Sequence, residues 1–174
     1  EIQTAFNHFL QYGGLPETFE INTHDAKLSY CQGIVTKIIL DDVVKRFKVE
    51  NVDMLEKLFR YVTAECGKQV SFHNLCKYLK QIGINTKVET VIKYISYLHK
   101  AFALIEINKF DWGQKKIFSG QKKYYSIDTG LISIYRKINE NYSFRLENLV
   151  ALELHRRSAE LYYGKNTSGK EIDF

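Results

Sequence analysis

Three amphipathic helical segments in close succession, each shut off by a glycine or a cap and followed directly by two alternating runs, restrict this chain more than any other feature. Asn51 to Cys66 places Leu55, Leu58, Phe59 and Val62 on one helical face, Ser71 to Ile82 does the same with Leu75, Leu79 and Ile82, and Thr86 to Lys100 carries Val88, Val91, Ile92, Ile95 and Leu98. Gly67 and Gly83 offer positive-φ exits, and Ser71 and Thr86 are placed to accept from the orphan N–H groups of the helices that follow. Only two residues separate Gly83 from Thr86, a spacing that suits a helix-turn-helix. Ala103 to Lys109 then alternates toward a strand, a loop follows around Asp111-Trp112-Gly113-Gln114, and Lys122 to Ile127 returns.

Three helices followed by a hairpin is the order of a winged helix. On its N-terminal side Ala5, Phe6, Phe9 and Leu10 recur at helical spacing until Tyr12-Gly13-Gly14-Leu15-Pro16-Glu17 breaks the pattern, and residues 26–47 read as one long helix or two abutting ones, with Gly33 as a bend. On its C-terminal side Leu131 to Lys137 and about Ser143 to Ser158 are helical, the latter with Leu146, Leu149, Val150 and Leu154 inward. Glu160 to Gly164 and Glu171 to Phe174 form a second hairpin across a polar turn. The expected fold class is mainly α with small β elements: a helical connector over 1–50, a winged helix-turn-helix over 51–127, and the start of an α/β domain over 128–174.

With 45% of its residues apolar and 26% charged, the chain has the composition of a soluble globular protein. No run approaches the ~20 apolar residues that span a bilayer, and Glu1 to Phe6 lack the pattern of a signal peptide, so a cytoplasmic location without membrane contact is expected. Cys31, Cys66 and Cys76, an odd set in apolar or helical surroundings, read as reduced side chains. The last residues, Lys170 to Phe174, stop within an apolar and acidic alternation, which marks the sequence as a fragment. A net charge of +5 favours polyanions without naming one.

Six phrases in order resemble an uncharacterised domain that follows the AAA+ module in many bacterial and archaeal ATPases. They are Gly13-Gly14-Leu15-Pro16-Glu17, Asp41-Asp42-Val43-Val44-Lys45-Arg46, the helix-turn-helix, Tyr125-Ser126-Ile127-Asp128-Thr129-Gly130-Leu131, Leu146-Glu147-Asn148-Leu149-Val150 and Glu171-Ile172-Asp173-Phe174. The resemblance implies a missing N-terminal ATPase module that uses ATP and Mg²⁺, possible homo-oligomerisation through that parent, and a C-terminal part similar to the PD-(D/E)XK nuclease (restriction-endonuclease-like) fold. It casts Glu147 and Asp173 as vestigial catalytic candidates, with the acidic-x-lysine pair of such a site falling beyond Phe174. As it stands the fragment is therefore expected to be non-catalytic, with no cofactor or metal of its own.

The side chains suited to phosphate and groove contacts are Lys87, Thr90 and Lys93 on the third helix, with Lys109, Trp112, Lys115, Lys116, Lys122 and Lys123 on the hairpin. DNA is accordingly the expected partner; the alternatives are a truncated metal-dependent nuclease and a protein-protein interaction module. The C-x6-H-x2-C spacing of Cys66, His73 and Cys76 matches no common zinc arrangement, and no G-x-x-x-x-G-K-[ST] phosphate loop is present. Asp42 and Arg46 read as an i,i+4 surface pair.

Overall fold

The computed structural model describes residues 1–111, 116–140, 142–157, 160–165 and 170–174. Among them the chain is mainly helical with one small mixed sheet of five strands, as the periodicities predict.

The connector consists of α1 (Ile2–Tyr12), α2 (Glu17–Glu20) and α3 (His24–Lys37), which runs on through a π-helical stretch, Ile38–Val44, into α4 (Lys45–Phe47). Gly33 sits inside α3, whose helical assignment continues through it; the irregularity lies one turn later. Its cause is legible in the spacing of the buried side chains. Cys31, Val35, Ile39 and Val43 recur every fourth residue, a stripe that drifts around a 3.6-residue helix. The wider i→i+5 ring turns less per residue and brings Val43 back to the core face. Asp41, not Asp42, makes the surface pair here, 2.5 Å from Lys45.

The central unit is α5 (Val52–Ala64), β1 (Gln69–Val70), α6 (Phe72–Gln81), α7 (Val88–Lys100), β2 (Leu104–Asp111) and β3 (Lys116–Ser126). Asn51 caps α5 by accepting from Met54 N–H at 2.9 Å, and Ser71 caps α6 by accepting from Asn74 N–H at 3.3 Å. Gly67 and Gly83 take φ of 80° and 87°, as their positions require. Thr86 does not cap. Helix α7 starts after Lys87, with no side-chain acceptor, and Thr86 instead offers its carbonyl to the Cys76 thiol at 3.1 Å. Strand β1, too short to alternate visibly, pairs antiparallel with β3, which pairs in turn with β2.

The chain closes with α8 (Thr129–Ser133), a 3₁₀ turn (Ile138–Glu140), α9 (Tyr142–Arg156), β4 (Tyr162–Lys165) and β5 (Glu171–Ile172). Strand β4 lies parallel to β2, with Asn108 opposite Tyr162, and β5 folds back on β4, giving the order β1-β3-β2-β4-β5. The sheet thus runs across the expected boundary at 127/128. Its two faces separate by alternation: Leu104 and Tyr124 join the main core with Leu58, Leu75 and Ile95, while Ile105, Ile107, Tyr125 and Tyr163 pack with Ala151 of α9.

Helix α9 is rotated relative to the expected face. Val150 is 48% exposed, and the fully buried positions are Arg145, Asn148 and Ala151. Polar partners explain the rotation. Arg145 donates to Ser133 Oγ at 2.6 Å and to the Arg136 carbonyl at 2.7 Å, and Asn148 both accepts from Ser126 N–H and donates to its carbonyl. Satisfied in this way, they occupy the interior that a hydrophobic reading gives to leucine.

Two of the sequence phrases meet in one joint. The Asp128 carboxylate accepts from Gly130 N–H at 2.7 Å, capping α8, and from Gly14 N–H at 2.8 Å. Gly13 has φ 76°, and a Cβ there would lie 1.7 Å from Asp128 Oδ1; one on Gly130 would lie 2.3 Å from the Tyr12 carbonyl oxygen. The glycines therefore let α1 and α8 approach to backbone contact.

Candidate functional site

Helix α7 buries Val91, Tyr94, Ile95 and Leu98. Two positions trade places relative to the expected stripe. Ile92 is 43% exposed, whereas Tyr94 is buried and its hydroxyl accepts from Asn51 N–H at 3.2 Å. A tyrosine with an internal partner packs as well as an aliphatic side chain. Lys87 and Lys93 are exposed, Thr90 is half-buried, and the Lys93 ammonium lies 5.8 Å from the Tyr97 ring centre.

Three further lysines, Lys77, Lys80 and Lys100, are exposed on the same pair of helices and were missed among the candidates. Counting charge over the whole helix-turn-helix finds them: residues 71–100 contain five lysines, and Glu89 is their single acid. Beside α7 a groove of about 800 Å³ opens against the sheet, lined by Phe72, Val88, Ile92, Ser96, Lys122 and Tyr124 among others.

The hairpin is less available than its sequence suggests. Lys122 is half-buried with its ammonium 2.5 Å from Glu106, whose other oxygen accepts from the Tyr124 hydroxyl at 3.0 Å. That ammonium is thus paired with a carboxylate of the neighbouring strand. Lys109 is half-buried in β2, just after a register slip. Lys115 and Trp112, with the side chain of Lys116, lie outside the described residues.

Lys123 is the larger correction. It points to the opposite face of the sheet, is 1% exposed, and reaches Glu147 at 3.2 Å, Glu171 at 2.6 Å and Asp173 at 2.8 Å. Alternation along β3 sends neighbouring side chains to opposite faces, so of two adjacent lysines one must turn inward. The Tyr125 hydroxyl donates to Glu147 Oε1 at 2.6 Å, and the ammonium lies 5.3 Å from the Tyr163 ring centre. Burial alone would lower the Lys123 pKa; hydrogen bonds to Asp173 and Glu171, with the charge of Glu147, override it and leave the pKa raised. Burial and the Glu147 hydrogen bond raise that of Tyr125.

Glu147 and Asp173 thus meet around Lys123, joined by Glu171, which the sequence did not single out; Asp173 follows the edge strand β5 rather than lying on a central strand. What they converge on is a lysine. The carboxylates turn their oxygens toward a permanent internal cation, and among the described residues no group of three or more His, Cys, Asp or Glu side chains is placed to hold a metal ion. In this arrangement the Lys123 ammonium offsets the charge of the three carboxylates. Cys66 and Cys76 do not share a site either: Cys66 is buried, which pushes its thiol up to about 12, and Cys76 is spent on the Thr86 carbonyl. Among the described residues no helix is long and apolar enough to cross a membrane.

Residues 3–142 match the model of a family described as a domain of unknown function, DUF8612. An uncharacterized protein of Haemophilus influenzae is 29% identical over 174 residues, which cover 99% of this chain and 43% of that protein. The uncharacterized protein MJ1544 of Methanocaldococcus jannaschii is 28% identical over 178 residues, covering 100% of this chain and 40% of that protein. The chain spans about two-fifths of the length of these curated relatives. No solved structure matches.

Proposed function

The chain belongs to the DUF8612 family, and we propose that it is a non-catalytic DNA-binding module of a larger cytoplasmic ATPase, gripping duplex phosphates with a winged helix-turn-helix. The observation that carries this reading is the set of five exposed lysines, Lys77, Lys80, Lys87, Lys93 and Lys100, set against one glutamate on α6 and α7. Lysines of this kind supply the sequence-independent part of DNA affinity by releasing condensed counterions. The connectivity supports this reading: a helix, a strand, two helices and a hairpin whose second strand lies between β1 and β2 follow the order expected of a winged helix.

The ATPase parent rests on the six-phrase resemblance and on relatives more than twice as long as the matched region. ATP and Mg²⁺ belong to that parent's module, as does any homo-oligomer. A second reading, metal-dependent DNA cleavage, is favoured by the convergence of Glu147, Glu171 and Asp173 and opposed by the lysine they enclose. Incubating plasmid DNA with the chain and Mg²⁺ or Mn²⁺ separates the two; cutting that Glu147→Gln removes would favour the nuclease.

Fluorescence anisotropy with a labelled duplex tests the main reading. Neutralising three to five phosphates predicts that affinity falls on the order of a hundredfold between about 50 and 200 mM salt. No binding at the lower salt, or binding indifferent to salt, would remove the phosphate-contact model and leave an adaptor for another protein.

A further inference from the structure

Ile92 is out of place on a helix that otherwise presents charge. It stands 43% exposed in the middle of α7, opening into the groove with half-buried Val88 one turn before it and Ser96 one turn after. A branched apolar side chain held in a concavity is suited to meet another apolar group rather than water.

The chemistry of the helix narrows what that group is. The two helices carry five exposed lysines and one glutamate, so the complementary partner is a polyanion. Helix α7 contains no Arg, Asn or Gln, the side chains that most often make paired hydrogen bonds to guanine or adenine edges. The Lys93 ammonium lies 5.8 Å from the centre of the Tyr97 ring, one turn further along the helix. In the major groove of a duplex the one apolar group on a base edge is the 5-methyl of thymine.

Resting on the DNA-binding reading above, we infer that Ile92, flanked by Val88, reads thymine methyl groups and makes the chain select duplexes rich in A·T pairs. Selection works by apolar contact and needs no hydrogen bond to a base. Glu89, in the first turn, can accept from the N6 amino group of adenine as well as from the N4 amino group of cytosine, so it does not oppose this selection.

Uracil differs from thymine by this methyl alone, so the test uses two alternating duplexes of about 24 base pairs, one of dA and dT and one of dA and dU. Each is titrated with the chain and with Ile92→Ala at fixed ionic strength. Each methyl held by Ile92 is worth roughly a fourfold change in affinity. The native chain is expected to bind the thymine duplex at least fourfold more tightly, and Ile92→Ala to bind both equally. Equal, salt-dependent binding of both duplexes by the native chain overturns this inference and leaves the DNA-binding reading standing. Discrimination that survives in Ile92→Ala overturns it as well, since another residue then does the reading. No binding to either duplex at low salt overturns both and returns the groove to a protein partner.

Discussion

Replacing Lys123 by methionine keeps the length and the apolar stem of the side chain and deletes only the ammonium. In the fold that ammonium is 1% exposed and faces Glu147, Glu171 and Asp173 at 3.2, 2.6 and 2.8 Å. Removing one partner of a buried ion pair costs about 3–5 kcal/mol, because the other charge is left without compensation. Two of the three carboxylates are 39% and 47% exposed, and water recovers part of that cost, which brings the expected loss to about 2–3 kcal/mol. For a domain of this size that corresponds to a melting temperature lower by about 5–10 °C. Urea titration followed by tyrosine fluorescence and far-ultraviolet circular dichroism measures it. The double variant Lys123→Met with Glu147→Gln should recover at least half of the loss, since it removes the more buried of the stranded charges. A loss below about 0.5 kcal/mol, or a double variant that loses the sum of the two single changes, would refute the view that this cluster locks β3 to α9 and β5.

Gly13→Ala should destabilise by more than about 2 kcal/mol, because it strains a left-handed backbone and drives a Cβ into the Asp128 carboxylate, whereas Gly33→Ala, with open space around it inside α3, should stabilise by about 0.5–1 kcal/mol. Thermal melts of the two variants check both signs, and similar shifts would contradict the α1–α8 joint. His8 offers a test by pH: burial first, then the charge of Lys27 whose ammonium lies 2.8 Å from Nε2, holds its imidazole below the ordinary value of 6.5. The folded chain keeps His8 neutral while the unfolded chain protonates near pH 6.5, so stability from this group is present above that pH and is lost as the solution acidifies through and below it. After division by the base-catalysed intrinsic exchange rate, protection in α1 and α3 should fall between pH 7.5 and 5.5, and less steeply in His8→Gln; an identical pH dependence of protection in the two proteins would exclude His8 as the source.

Apart from Thr86, which does not cap α7, local signals in the sequence are legible where the physics is local. Ser71, Gly67 and Gly83 punctuate helices through contacts made within a few residues, and the alternation of 103–109 and 122–127 marks β2 and the end of β3. Periodicity was less informative about which face turns inward, as Tyr94 and Arg145 illustrate: each is buried because a polar partner outside its own helix satisfies it. Two adjacent lysines read as one basic patch, yet Lys122 and Lys123 point to opposite faces of β3 and meet different acids, and the partners of Lys123 lie 24 to 50 residues away. The parallel pairing of β4 with β2 and the two-residue β1 depend on tertiary contacts that leave little trace in a single sequence. Nothing local in the sequence marks Glu171 or the enclosed lysine as partners of Glu147 and Asp173, because the contacts span 24 to 50 residues.

The central claim is that the helix-turn-helix lysines hold duplex phosphates, and the slope of log affinity against log salt measures it most directly. Replacing Lys77, Lys80 and Lys93 together by alanine leaves all buried contacts intact, since each side chain is exposed. Each phosphate contact contributes about 0.9 to the slope, so the triple variant should bind more weakly with a slope shallower by about 2–3 than that of the native chain. A variant whose affinity and slope match the native values would show that these lysines do not touch DNA.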